Sequence, residues 1–357
     1  MKRLAIVVLA VAAAAGPLAH NTPVVHAQPV AAGCWQRPAP QTLEEIAVRA
    51  ANQRRRKQRR LKERASRAAK PPASVLALSN PSSRAKAAYG AGLLVGWGET
   101  GNRPDFATVT AVGASALVAP FAFIGEGGDQ KIADLFACQA ASFAEIAERA
   151  VAYLDAPTLE AIARKYEAGN RLWLVLPGSA ARKETTWDAG AIAARRTPQA
   201  LSLLRSILLA SVDVTTFVDP AASPVREGTV TKRNITFRKL GAGEPFLYAR
   251  ATRPRATTYL IHNGVLFPDQ GTAYMADRRA TGSKPGTRMH VVSAYDFFLA
   301  QTARANIYVA SPRPYLSIQP SGEDDMKYVR DLFQDSYRQG VLNREWRRTF
   351  VDSTRSY

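Results

Sequence analysis

Two short stretches place serines where hydrolytic chemistry is commonly built. Ser79-Asn80-Pro81-Ser82-Ser83 follows the apolar run Val75 to Leu78, and Gly113-Ala114-Ser115 follows Phe106 to Val112. A serine becomes a nucleophile only beside a base, with donors placed for the oxyanion. Candidate bases are few. Of the four histidines, His20 and His26 lie in the N-terminal segment. His262 precedes the turn Asn263-Gly264, and His290 precedes the apolar pair Val291-Val292, so both read as structural. There is no C-x-x-C and no metal-ligand spacing, so neither a metal nor a cofactor is expected.

The elements that must position these serines are legible. Val75 to Leu78 reads as a buried strand ending at Ser79 and Pro81. Ala85 to Trp97 reads as a helix packed on a sheet, Phe106 to Val112 as a second strand, and Ala114 to Phe123 as a buried helix. Strand, tight turn and helix occur twice over, which is the βαβ pattern of a parallel sheet.

The wording of this stretch resembles the patatin-like phospholipase family. The shared framework includes Leu76-Ala77-Leu78-Ser79, Ala88-Tyr89-Gly90-Ala91-Gly92, Gly96-Trp97, Pro104-Asp105-Phe106, Val109-Thr110 and Leu117 with Ala119-Pro120-Phe121. The resemblance spans roughly Ala73 to Phe350. It implies a three-layer α/β/α fold with a mostly parallel central sheet. It also implies a lipid acyl hydrolase with a serine–aspartate dyad and a glycine-rich oxyanion loop.

The chain departs from that pattern where the chemistry sits. Gly113 occupies the position of the family nucleophile and has no hydroxyl. The oxyanion-loop glycines are replaced by Asn80-Pro81-Ser82, ahead of Lys86. Pro81 has no N–H to donate, and Asn80 and Ser82 add side chains where glycine allows close approach. No Asp-Gly pair exists in the chain. Either Arg226 stands at the aspartate position, where a permanently protonated guanidinium cannot act as a base, or the motif is deleted. Ser115 is the fallback nucleophile, but two residues into a helix it is rotated about 200° from the elbow position. Ser79, Ser82 and Ser83 read as turn hydroxyls or helix caps. Glycine at the elbow relieves the backbone strain that a serine would carry there.

Outside this core, Met1 to Ala27 reads as a signal peptide: Lys2-Arg3, an apolar run, then Val25-His26-Ala27 before a cut at Gln28. Ala31-Ala32-Gly33-Cys34 is a weaker alternative, a lipoprotein attachment site. Either implies export to the periplasm, the envelope or the medium. Cys34 and Cys138 are the two cysteines, free or paired.

Residues 28–72 form a basic arm with helical composition, opened by Thr42-Leu43-Glu44-Glu45. Its core is Arg54, Arg55, Arg56, Lys57, Arg59 and Arg60. The net charge of the 357-residue chain is +19, about half of it from this arm. The arm is a solvated helix face or a contact to a lipid or anionic membrane surface. Nucleic acid is disfavoured, because no aromatics interleave with the charges.

Pro71-Pro72 marks the boundary to a domain over residues 73–357. Within it, Ile132 to Tyr166 is helical, Arg171 to Pro177 a buried strand, and Trp187 to Ala193 a turn and helix. Gln199 to Ala210 is a helix, Thr258 to Phe267 a strand, and Glu323 to Gly340 an amphipathic helix. The function expected is that of a non-catalytic, lipid- or membrane-associated pseudo-hydrolase. An active hydrolase with a relocated nucleophile and a structural or interaction module of the envelope are the alternatives.

Overall fold

A computed structural model describes residues 33–65, 73–79, 83–176, 185–212, 256–263, 307–312, 321–322 and 325–346. The side chains of Lys57, residues 59–65 and Ile307 fall outside that set. Asn80, Pro81, Ser82, Arg226 and His290 lie outside the described residues, as do residues 1–32, where the signal peptide and its cut before Gln28 were expected.

Six strands form one sheet. They are β1 (Ser74–Leu78), β2 (Phe106–Val112), β3 (Arg171–Leu176), β4 (Thr185–Asp188), β5 (Thr257–Ile261) and β6 (Ile307–Ala310). Their order is β4-β3-β2-β1-β5-β6, parallel throughout except for the antiparallel edge pair β3–β4. Leu76 is in register with Val109 on one side and Tyr259 on the other. Every residue of β1 is buried, and β2 and β3 are nearly so. Alternate residues of a strand point to opposite faces, so both faces of the central strands are buried. The chain is therefore α/β with a mostly parallel sheet. The turn expected around Trp187 is instead β4, whose short edge pairing with β3 carries no sequence periodicity of its own.

The helices are α1 (Leu43–Ala65), α2 (Ala87–Glu99), α3 (Ala119–Ile124), α4 (Asp129–Ala137), α5 (Phe143–Tyr153), α6 (Ala156–Glu167), α7 (Ala189–Ala193), α8 (Pro198–Val212) and α9 (Met326–Leu342). Several start on side-chain caps. Ser142, Asp155, Asp188 and Asp325 each accept an N–H from the residue three positions on. Buried Met326, Val329, Leu332, Phe333 and Tyr337 form the apolar face of α9, as its periodicity predicts.

Every residue of α2 from Ala87 to Gly98 is buried, and α9 crosses it at backbone contact. A Cβ on Gly96 would lie 2.9 Å from Val341 N and closer still to Tyr337 O. One on Gly340 would lie 2.5 Å from Leu93 O and 2.7 Å from Trp97 N. Gly92 and Gly96 thus serve helix packing.

The N-terminal arm, expected as a basic linker, is docked from Gly33 onward. Cys34 and Cys138 form a disulfide, with Cα atoms 5.9 Å apart. That settles the pairing and commits the sulfur that lipid attachment at Cys34 would use. Buried Asp134 gathers the surrounding donors: the N–H groups of Gly33 (3.1 Å) and Trp35 (3.0 Å), the Gln130 amide (3.0 Å) and the Tyr153 hydroxyl (3.1 Å). Burial, and then the Asp134 carboxylate, push the Tyr153 hydroxyl up to about 12. Trp35 packs edge-on against Tyr337 at 5.5 Å. Closing a loop across a sequence separation of 104 restricts the unfolded chain strongly, so Cys138→Ser is expected to lower stability by about 2–4 kcal/mol. Denaturant unfolding of the variant beside the parent, each with and without reductant, checks this; reductant should shift the parent alone.

Arg103 and Asp129 form a buried ion pair at 2.7 Å between the turn before β2 and the start of α4. Burial raises the Asp129 carboxyl to about 6, against the opposing pull of Arg103. The folded state therefore holds this proton at pH values where the unfolded chain, at about 4, has released it. Stability from this group is full below pH 4 and declines as pH rises towards 6. Relative to the parent, Asp129→Asn is expected to gain on the order of 2–3 kcal/mol between pH 4 and pH 7. Urea titrations of both proteins at the two pH values measure it, and a shift of opposite sign would mean that Arg103 outweighs burial.

Candidate functional site

The strand order makes β1 a switch point: the chain runs from β1 through β2 to β3 on one side, while β5 and β6 lie on the other. In open parallel sheets the crevice at the carboxyl ends of such strands is where ligands and catalytic groups collect. Three stretches meet there: Ser79 after β1, Gly113 to Ser115 after β2, and Asn263 after β5.

Gly113 has the conformation of an elbow. It is buried, with φ of +57°, directly after the last residue of β2. That left-handed backbone favours glycine and would strain a serine. Ser115 was expected on a regular helix. It lies instead on a 3₁₀ turn, Gly113–Leu117, after which Pro120 helps start α3 as a separate helix. The short turn forms because Val118 N donates to Ser115 O at 3.2 Å and because the Ser115 hydroxyl is drawn to the neighbouring strand end.

That hydroxyl donates to Ser79 O at 2.6 Å and accepts the Asn263 side-chain N–H at 2.8 Å. Asn263 also donates from its side chain to Ser79 O at 3.2 Å, and from its backbone to the Ser79 hydroxyl at 2.9 Å. Its Oδ1 accepts the Gly90 N–H, in the first turn of α2, at 3.0 Å. A Cβ on Gly90 would sit 2.9 Å from that oxygen, so glycine there admits Asn263. The pattern fixes the amide orientation: Gly90 needs an acceptor and Ser79 O needs a donor.

The arrangement can link three strand ends and one helix, but it cannot activate a nucleophile. The Ser115 proton is engaged by a carbonyl, which cannot take it, and its hydrogen-bond partners include no carboxylate or imidazole. Ser115 is 2% exposed and Asn263 1%, so little of either is open to solvent. The backbone N–H of half-buried His262 donates to Ala310 O at 2.9 Å, extending the β5–β6 pairing. Asn263 is the residue that sequence reasoning missed, because Asn263-Gly264 reads as a turn. Its place just past the end of a predicted parallel strand was the available signal.

The other candidates scatter. Lys86 is buried in a 3₁₀ turn, Arg84–Lys86, that precedes α2. The Arg84 guanidinium lies over the Phe143 ring at 5.9 Å and reaches Val212 O at 3.4 Å. On α1, Arg54 and Arg55 are exposed, while Arg56 is half-buried and donates to Gly98 O. The side chains of Lys57, Arg59 and Arg60 lie outside the described residues.

The sequence spacing gave no metal cluster. Cys34, Asp134 and Cys138 nonetheless place ligand atoms within 4.8 Å of one another, with both sulfurs committed to the disulfide. The cavity lined by Arg56, Arg103 and Arg164, about 660 Å3 in volume, opens at the other end of the sheet from Gly113. Among the described residues, no helix is long and apolar enough to cross a membrane. The chain matches no family model, and searches of curated proteins and of solved structures return no significant match.

Proposed function

We propose that this chain is a patatin-like domain that has lost acyl-transfer chemistry and acts as a non-catalytic, lipid- or membrane-associated protein. The observation that carries this reading is the elbow. Glycine occupies it in a left-handed conformation, and the nearest serine is spent holding Ser79 and Asn263 together. A hydroxyl without a base has no route to the alkoxide that attacks an ester. Association with a surface is supported by α1, where Leu43 and Ile46 are exposed apolar residues and Arg54 and Arg55 are exposed cations on the same helix.

The test is hydrolysis of short-chain acyl esters by the purified protein, with a fluorophosphonate probe followed by peptide mass spectrometry. No turnover and no labelled serine are expected. Turnover that Ser115→Ala abolishes, with label on Ser115, would overturn the reading in favour of an active hydrolase.

A further inference from the structure

The cavity at the amino ends of β2 and β3 lies away from the elbow, and its lining is unlike that of an apolar ligand pocket. Arg56, Arg103, Arg164 and Lys165 meet there, opposed by Asp105 and Glu126 alone among charged side chains. These cations come from three parts of the chain: α1, the turn before β2, and the last turn of α6. A solvated face of a single helix does not produce that convergence. Lys165 is paired with Asp105, and Arg103 with Asp129. Arg164 is exposed and has no ion-pair partner among the described residues. The Nε–H of Arg56 is buried without a hydrogen-bond partner, although another nitrogen of the same guanidinium donates to Gly98 O. The Nε is closed to solvent, so it reflects how tightly Arg56 is packed against the end of α2 and is not itself a contact for a ligand.

We propose that this cleft binds a phosphoryl anion carried by a larger molecule. Guanidinium groups bring several donors in fixed planes to phosphate oxygens, and three of them line this cleft beside Lys165, with Arg164 exposed and outside any ion pair among the described residues. The volume of about 660 Å3 is in the range of small-molecule sites and exceeds what a lone phosphate fills. The anion could be supplied by a soluble phosphorylated compound or by a phospholipid headgroup, since both present the same oxygens. The Arg56 contribution depends on α1 being docked, which gives the basic arm a place in the site.

Two probes separate the sources. Inorganic pyrophosphate is titrated by calorimetry, and phosphatidylcholine vesicles with or without phosphatidic acid are tested by co-sedimentation. Arg164→Ala is exposed and should fold as the parent does; Arg56→Gln is the second variant. Pyrophosphate binding that weakens about tenfold in each variant, and less than about twofold in Arg54→Ala/Arg55→Ala, supports the site. Phosphatidic-acid-dependent sedimentation, lost in Arg164→Ala and displaced by pyrophosphate, assigns the ligand to a headgroup. Pyrophosphate binding without sedimentation assigns it to a soluble phosphate. The proposal is overturned if neither probe binds. It is equally overturned if binding is indifferent to Arg164→Ala and Arg56→Gln, or is lost as much on removing Arg54 and Arg55. Ester hydrolysis plays no part in this test, so its outcome is independent of the fate of the elbow.

Discussion

Replacing Gly96 with leucine is expected to abolish cooperative folding, and Gly96→Ala to cost about 3 kcal/mol, a fall of roughly 4–5 °C in Tm for a chain of 357 residues. The reason is what the new Cβ meets. It would lie 2.9 Å from Val341 N and closer to Tyr337 O, both backbone atoms of α9. A flexible side chain can swing aside, but a helix backbone must translate as a body. Moving α9 away from α2 would also loosen the packing of Leu332, Phe333 and Tyr337, which are buried. The cost therefore falls at the upper end of that for overpacked cores. Gly127→Ala is the control, since no atom lies within 4 Å of its added Cβ; it should change stability by less than about 0.5 kcal/mol. Thermal unfolding of the three variants decides the matter, and an unchanged Tm for Gly96→Ala would refute the close crossing.

Asn263→Ala should cost about 3 kcal/mol, through a different mechanism. The side chain packs little apolar area, so area burial predicts a small effect. Its loss instead strips the Gly90 N–H of its Oδ1 acceptor and removes the donor that serves both Ser79 O and Ser115 Oγ. These groups are buried, and each unsatisfied one carries a penalty of about 1–3 kcal/mol. Ser115→Ala removes only one link and should cost less, on the order of 1–2 kcal/mol. Because the groups share partners, the double variant should be less damaging than the sum of the singles. Chemical denaturation of the two single variants and the double supplies the cycle. Strict additivity would mean that Ser115 and Asn263 act independently and that the strand ends are not tied as described.

The glycine-rich stretch of α2 is architecture in both cases. Gly90, Gly92 and Gly96 could be mistaken for parts of a catalytic loop. Here Gly90 admits Asn263, and Gly92 and Gly96 admit α9. The elbow geometry at Gly113 needs no hydroxyl, because it serves the tight exit from β2.

Much of this was fixed by local sequence. The apolar run Val75 to Leu78 and the β-branched stretch Phe106 to Val112 marked β1 and β2, and the spacing of Met326, Val329, Leu332, Phe333 and Tyr337 marked the buried face of α9. The absence of a hydroxyl at position 113 needs no structure at all. Tertiary structure decided what these parts meet. It paired Cys34 with Cys138, docked the arm on Asp134, and turned Ser115 towards Ser79 and Asn263, from which it is separated by 36 and 148 residues. Periodicity reports which side of an element is buried, because burial repeats with the period of the backbone. It carries no information on which distant side chain fills the facing space, and the Ser115 hydroxyl takes its role from that neighbour.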